Sequence, residues 1–373
     1  MSIPQSICVG IELEFMVALQ IPDSDAVTGE TRWACPTTPE AFLGLVMGDY
    51  KDIEPSCIHK ITAVTFELGI MSLLVDQSQR PIFGLLFQSV TSPETVLYDW
   101  YGTELNSPIL TRPEEFSQGL PTLRKCLAAV QGDMVVGLNS GCGLHLHVND
   151  AGSMQLETAL RLATLVWLLE DSLLYPLCHP FRSDSPYSAR INVESRIAME
   201  RGEPPVYGEG AALVEALGEV MGQLHWRKKV DRGLLGSMKR LWSETSLVSL
   251  GIALRKFDEG SLHTTTRCAL VVSKYDTIEF RYPESTFDVD FIAGWADLVR
   301  HLYAVAMRPQ AEFHQILCRV YELVTRDQLP GWSAMLGAIG FQGDVSRWQR
   351  HINDYGDTLS NLDKQGILPN IGQ

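Results

Sequence analysis

Along residues 10–15, Gly-Ile-Glu-Leu-Glu-Phe, apolar and acidic positions alternate. That period of two predicts a strand with Ile11, Leu13 and Phe15 on one face and Glu12 and Glu14 on the other, the carboxylates roughly 7 Å apart at the backbone. β-branched and aromatic runs at 63–68, which holds Glu67, and at 82–87, begun by Pro81, predict two further strands. Residues 102–110 give a strand carrying Glu104 until Pro108 interrupts the ladder. In 142–148, Cys-Gly-Leu-His-Leu-His-Val, His145 and His147 fall on one face. Residues 267–273 and 276–281 predict a hairpin turning at 274–276, with Glu279 and Arg281 side by side.

Helical spacing fills the intervals. A turn-rich stretch, 21–36, leads to a capping-box helix start at 37–40. Phe116, Leu120, Leu123, Leu127 and Val130 predict one amphipathic helix, with Pro121 as a kink. Residues 154–174 predict a long apolar helix capped by Ser153 and ended by Pro176. Prolines 180, 186, 204 and 205 punctuate the region 178–265, which also holds Arg182, Arg190 and Arg196 and two helical stretches; it reads as a cap or lid. Beyond 283–286 the chain turns helical through Phe291, Trp295, Leu298 and Tyr303, with helices near 309–325 and 344–360. The whole reads as α+β, a mainly antiparallel curved sheet with helices packed against it. We expect one domain over 1–373, with the cap at 178–265 inside it and a helical extension at 301–373.

Charge narrows the partners. With 30 basic against 45 acidic residues the formal charge is −15, which disfavours nucleic acid. An anionic substrate would need local positive potential from metal ions or placed arginines. Eight scattered cysteines, without Cys-x-x-Cys, read as reduced thiols. No leader pattern opens the sequence and no apolar run reaches membrane-spanning length, so we expect a cytoplasmic protein with no membrane partner.

The chemistry-bearing residues each have an ordinary alternative. Like charges repel on an apolar strand, and a divalent cation would relieve Glu12 and Glu14; a solvated edge strand would carry the same pattern. His145 and His147 suit metal ligation or phosphate binding, or form a plain histidine pair. Glu279 and Arg281 pair a metal-seeking with a phosphate-seeking group, or form a strand salt bridge. Cys142 has no evident relay partner and reads as a small buried thiol.

Four ordered segments, 10–15, 102–110 (Gly-Thr-Glu-Leu-Asn-Ser-Pro-Ile-Leu), 142–148 and 277–281 (Thr-Ile-Glu-Phe-Arg) followed by Glu284, Thr286 and Asp288, together resemble the amidoligase family over roughly residues 8–300. That family is similar to glutamine synthetase and glutamate–cysteine ligase, and the resemblance implies a glutamine-synthetase-like catalytic domain. It also implies joining of a small-molecule or peptide carboxylate to an amine with ATP and Mg2+, or Mn2+. Carried over by position, Glu12, Glu14, Glu104 and Glu279 would hold metal, with His147 or His145 completing the shell. Arg281 would meet the terminal phosphate, Arg267 would serve similarly, and Arg182 and His145 would assist nucleotide binding. Where the family commonly has aspartate, Ser92 runs into Pro93 with Glu94 nearby; Pro283 stands in place of a frequent histidine and Val271 of a frequent asparagine. An inactive nucleotide-binding scaffold, or a zinc hydrolase using the His-x-His pair with Glu104 or Glu279, are the other readings.

Overall fold

The computed structural model describes residues 3–20, 72–74, 98–133, 135–138, 141–223, 231–257, 266–273, 276–326 and 331–353. The expected turns at 21–36, helix start at 37–40, strands at 63–68 and 82–87, Glu67, Pro93 with Glu94, and residues 274–275 and 354–360 lie outside the described residues.

Strand β1 (Ile7–Gln20) follows its alternation closely. Ile7, Val9, Ile11, Leu13 and Phe15 are buried, which points the odd positions into the core and turns Glu12 and Glu14 to the opposite face. Strands β2 (Ser72–Leu74), β3 (Tyr98–Asn106), β4 (Val136–Gly137), β5 (Leu144–Asp150), β6 (Leu270–Val272) and β7 (Ile278–Phe280) follow. The sheet runs β2-β3-β1-β5-β7-β6, with β4 also on β1. β3 is antiparallel to β1 and β2, β4 to β1, and β7 to β5 and β6. With helices filling much of the rest, the fold is α+β.

The expected kinked helix over 116–130 is instead two helices, α1 (Pro113–Ser117) and α2 (Pro121–Asp133). Gly119 and Leu120 take left-handed φ values of 67° and 57°, which ends α1. Pro121, needing no N–H donor at a first helical position, starts α2 rather than bending it.

The long apolar helix also differs from its prediction. α3 spans Leu156–Leu169 and is capped by Gln155 without a side-chain bond, so Ser153 lies two residues too early to cap it. Every residue from Ala159 to Leu169 is buried, including Arg161, which pairs with Glu157 and Glu209, and Thr164, which donates to the Leu160 carbonyl. It then widens into a π-helical turn, Glu170–Leu174, and tightens into a 3-10 turn at Tyr175–Leu177, where Pro176 removes an N–H.

Among its described residues, the region 178–265 holds short turns and three longer helices: α4 (Gly208–Gln223), α5 (Asp231–Trp242) and α6 (Leu247–Ala253). α7 (Val289–Ala306), α8 (Gln310–Val324) and α9 (Trp332–Ala338) complete the order. No described helix is long and apolar enough to cross a membrane.

The chain divides into two compact units. One comprises Met1–Val9, Leu146–Pro283 and Gly294–Ile352; the other comprises Gly10–His145, Glu284–Ala293 and Asn353–Gln373. In the first, Trp295 and Trp348 meet edge to face at 5.6 Å; in the second, Phe15 and Phe287 do so at 5.8 Å.

Candidate active site

In the unit built on Gly10–His145, register explains the clustering. Antiparallel pairing sets Glu12 opposite Asn106 and Glu14 opposite Glu104. Residues two apart on a strand share a face, so three carboxylates and one amide gather there. Asn106 Nδ2 donates to Glu104 Oε1 at 3.1 Å, turning that carboxylate along the strand.

β5 adds His145, which is 2 % exposed. Its Nδ1 lies 3.4 Å from Glu12 Oε2 and its Nε2 lies 3.7 Å from Glu14 Oε1. The backbone N–H of Gly143 donates to Glu14 Oε2 at 2.7 Å, and the Glu14 N–H donates to the Gly143 carbonyl at 3.1 Å. Ser285 Oγ donates to the Glu14 carbonyl, which fixes the strand at this residue. Glu14 is thus buried and held by backbone, whereas Glu12 is half-buried.

Glu12, Glu104 and His145 each offer one ligand atom, all within 4.8 Å of one another. An ion with bonds near 2.1 Å spaces its ligand atoms roughly 3 Å apart when adjacent and 4 Å when opposite. The three donors fit such an ion after small side-chain movements. Two carboxylate oxygens and one imidazole nitrogen suit Mn2+ or Mg2+, and admit Zn2+.

The other unit holds the remaining expected residues. His147 stands opposite Glu279 on β5 and β7, and Val271 faces Glu279 from β6. His147 Nδ1 contacts Thr277 Oγ1 at 2.8 Å, so ligation by His147 would use Nε2. Glu279 is 2 % exposed and pairs with Arg281 Nη1. Arg267 Nη1 reaches Glu279 Oε2 at 3.7 Å from a side chain 56 % exposed.

Arg182, expected at the nucleotide, lies in the same unit as Arg281. It is fully buried, with Nε donating to the Tyr282 carbonyl at 3.1 Å and Nη2 to the Arg281 carbonyl at 2.8 Å. It supports the backbone beside Arg281.

Sequence reasoning passed over Glu170 and Tyr282. Glu170 is fully buried in the π-helical turn and accepts Tyr282 O–H at 2.7 Å. An acidic pair, Glu170-Asp171, interrupting a largely apolar run ahead of a helix-ending proline was the available signal. Burial pushes the Glu170 carboxyl up to about 8, against the pull of hydrogen bonds from Asn192, Tyr282 and Ile191.

A model of the family described as "Putative amidoligase enzyme" matches residues 5–205, more than half of the 373. The match takes in Glu12, Glu14, Glu104, His145, His147 and Arg182, and ends before Arg267, Glu279 and Arg281. No curated protein matches the chain.

Proposed function

The chain belongs to the amidoligase family, and we propose that it uses ATP to join a small-molecule or peptide carboxylate to an amine on a glutamine-synthetase-like sheet. The observation that carries this reading is the gathering of Glu12, Glu104 and His145 on neighbouring strands. Three acidic side chains on one face have a use when a cation is their partner.

The reaction has a charge problem before it has a bond to make. A carboxylate oxygen must approach the γ-phosphorus of ATP in line, and both reactants are anionic. A divalent ion at the Glu12 group would supply charge compensation and orientation for the phosphates. Arg281 would carry the same task by hydrogen bonding to the terminal phosphate, and the more exposed Arg267 can reach a phosphate without leaving a buried pocket.

Attack forms the bond from carboxylate oxygen to phosphorus and releases ADP, leaving an acyl phosphate. The neutral amine then attacks the acyl carbon, the C–O bond electrons leave with phosphate, and the nitrogen loses a proton to give the amide. Excluding water matters most between these two steps.

Calorimetry with ATP, with and without Mg2+, tests the reading on the wild type, Glu12→Gln and Glu279→Gln. We expect Mg2+-dependent binding that both substitutions weaken while the proteins stay folded. A folded wild type that binds no ATP at high Mg2+ would end this proposal, and tight stoichiometric zinc would replace it with a hydrolase.

A further inference from the structure

β7 is only three residues long, so its ladder bonds stop at Phe280 and Arg281 lies just beyond them. The Arg281 backbone N–H still donates to the Ala269 carbonyl at 2.7 Å. Past that point the chain is held by buried side chains: Arg182 reads the carbonyls of Arg281 and Tyr282 in succession.

Tyr282 is anchored from its other end. Its hydroxyl donates to Glu170 Oε1, which also accepts the Ile191 N–H at 2.9 Å, while Glu170 Oε2 accepts the Asn192 N–H at 2.9 Å. The Tyr175 ring meets Tyr282 edge to face at 5.4 Å, and Ser188 Oγ donates to the Arg182 carbonyl at 2.7 Å. Both ends of the dipeptide 281–282 are therefore tied into the π-helical turn and the 3-10 turns that follow it.

Stability alone does not call for this chemistry. Desolvating a fully buried arginine is costly, and apolar residues of similar volume commonly serve stability as well. What arginine adds is a planar fork that fixes two neighbouring carbonyls, and what Glu170 adds is a fixed acceptor for one phenol. π-turns inside helices are frequent at functional sites.

We propose that Glu170, Tyr282 and Arg182 are positioning residues whose buried hydrogen bonds aim the Arg281 guanidinium at Glu279 and, on nucleotide binding, at the terminal phosphate. The nucleotide part rests on the function proposed above; the aiming of Arg281 does not. The brace sets how much of the bound guanidinium geometry exists before the nucleotide arrives.

Two variants separate aiming from simple support. Tyr282→Phe keeps the buried ring and removes one bond, and Arg182→Lys keeps the charge and removes the fork. The Nε–Hε resonance of Arg281, identified by its absence in Arg281→Lys, reports the side chain directly. Calorimetry with Mg·ATP and with AMP reports its consequence.

In both variants we expect that resonance to shift and broaden. We also expect the Kd for Mg·ATP to rise about five- to tenfold, the size of one or two lost hydrogen bonds, with AMP unaffected. A lowered Tm with the resonance and both Kd values unchanged would reduce the brace to structural support and overturn the proposal. A wild type that binds no nucleotide would refute the ligase reading, while the resonance would still decide the aiming of Arg281. Tyr282→Phe keeps the test open if Arg182→Lys fails to fold.

Discussion

The molecule handles buried negative charge in two ways. In the unit built on Gly10–His145, Glu12, Glu14 and Glu104 share a strand face, where His145, the Asn106 amide and the Gly143 N–H lie near them. In the other unit, Glu279 carries its own cations, Arg281 and Arg267. Glu279 is balanced by cations of the protein itself, whereas on the function proposed above the carboxylate cluster would take an external cation. The difference separates a site where removing charge should cost stability from one where removing charge should add it.

Glu170 sharpens the comparison most, because among the described residues it is a buried carboxyl held by neutral donors, Tyr282 and the Ile191 and Asn192 N–H groups. The groups facing it are Tyr175, Tyr282, Asp171 and Cys268, with Arg190 stacked on Tyr175 at 4.3 Å. Its folded pKa, about 8 against an ordinary 4.5, lies above the unfolded value. The folded state therefore binds the extra proton, so stability is full below about pH 4.5 and declines as pH rises through 8. At about 1.4 kcal/mol per unit the decline is at most roughly 5 kcal/mol. Urea unfolding from pH 5 to 8.5 should show this fall in the wild type and a nearly flat profile in Glu170→Gln.

The self-balanced region comes next in size. Glu279→Gln leaves Arg281 buried without its carboxylate, which should cost about 3 kcal/mol in urea unfolding. Glu279→Gln combined with Arg281→Met should lose less than the sum of the two single changes, since the second removes the stranded charge. Equal and additive losses would show that the pair is not coupled, and the contrast between the regions would fail.

These energetics also explain what was legible in sequence. The alternation of residues 10–15 exposed the carboxylate face of β1 directly, because a strand's period is visible without knowing its neighbours. The approach of His145 Nδ1 to Glu12 at 3.4 Å was not legible, because His145 and His147 share a face and spacing alone does not say what a neighbouring strand brings to either. The break between α1 and α2 depended on Gly119 and Leu120 adopting left-handed backbone, and a leucine does not advertise that. The hold of Arg182 on two backbone carbonyls was not legible, since those partners lie about a hundred residues downstream. Long-range partners of a polar residue leave no local signature.

The externally balanced region yields the smaller effects, and their signs matter more than their sizes. Saturating Mg2+ or Mn2+, at a hundred times its Kd, should stabilise the protein by about 2.7 kcal/mol, seen as a rise in Tm. Glu104→Gln should remove most of that rise, because Glu104 is one of the three grouped ligands. With a chelator present the same substitution should stabilise the protein by about 0.5 kcal/mol. It neutralises a carboxylate directly opposite Glu14 while keeping an oxygen acceptor for Asn106. A substitution that strengthens the metal-free fold and weakens the metal-bound one identifies carboxylates placed for a ligand. If Glu104→Gln weakens the fold with chelator as well, the cluster is a structural network, and the two regions treat charge alike.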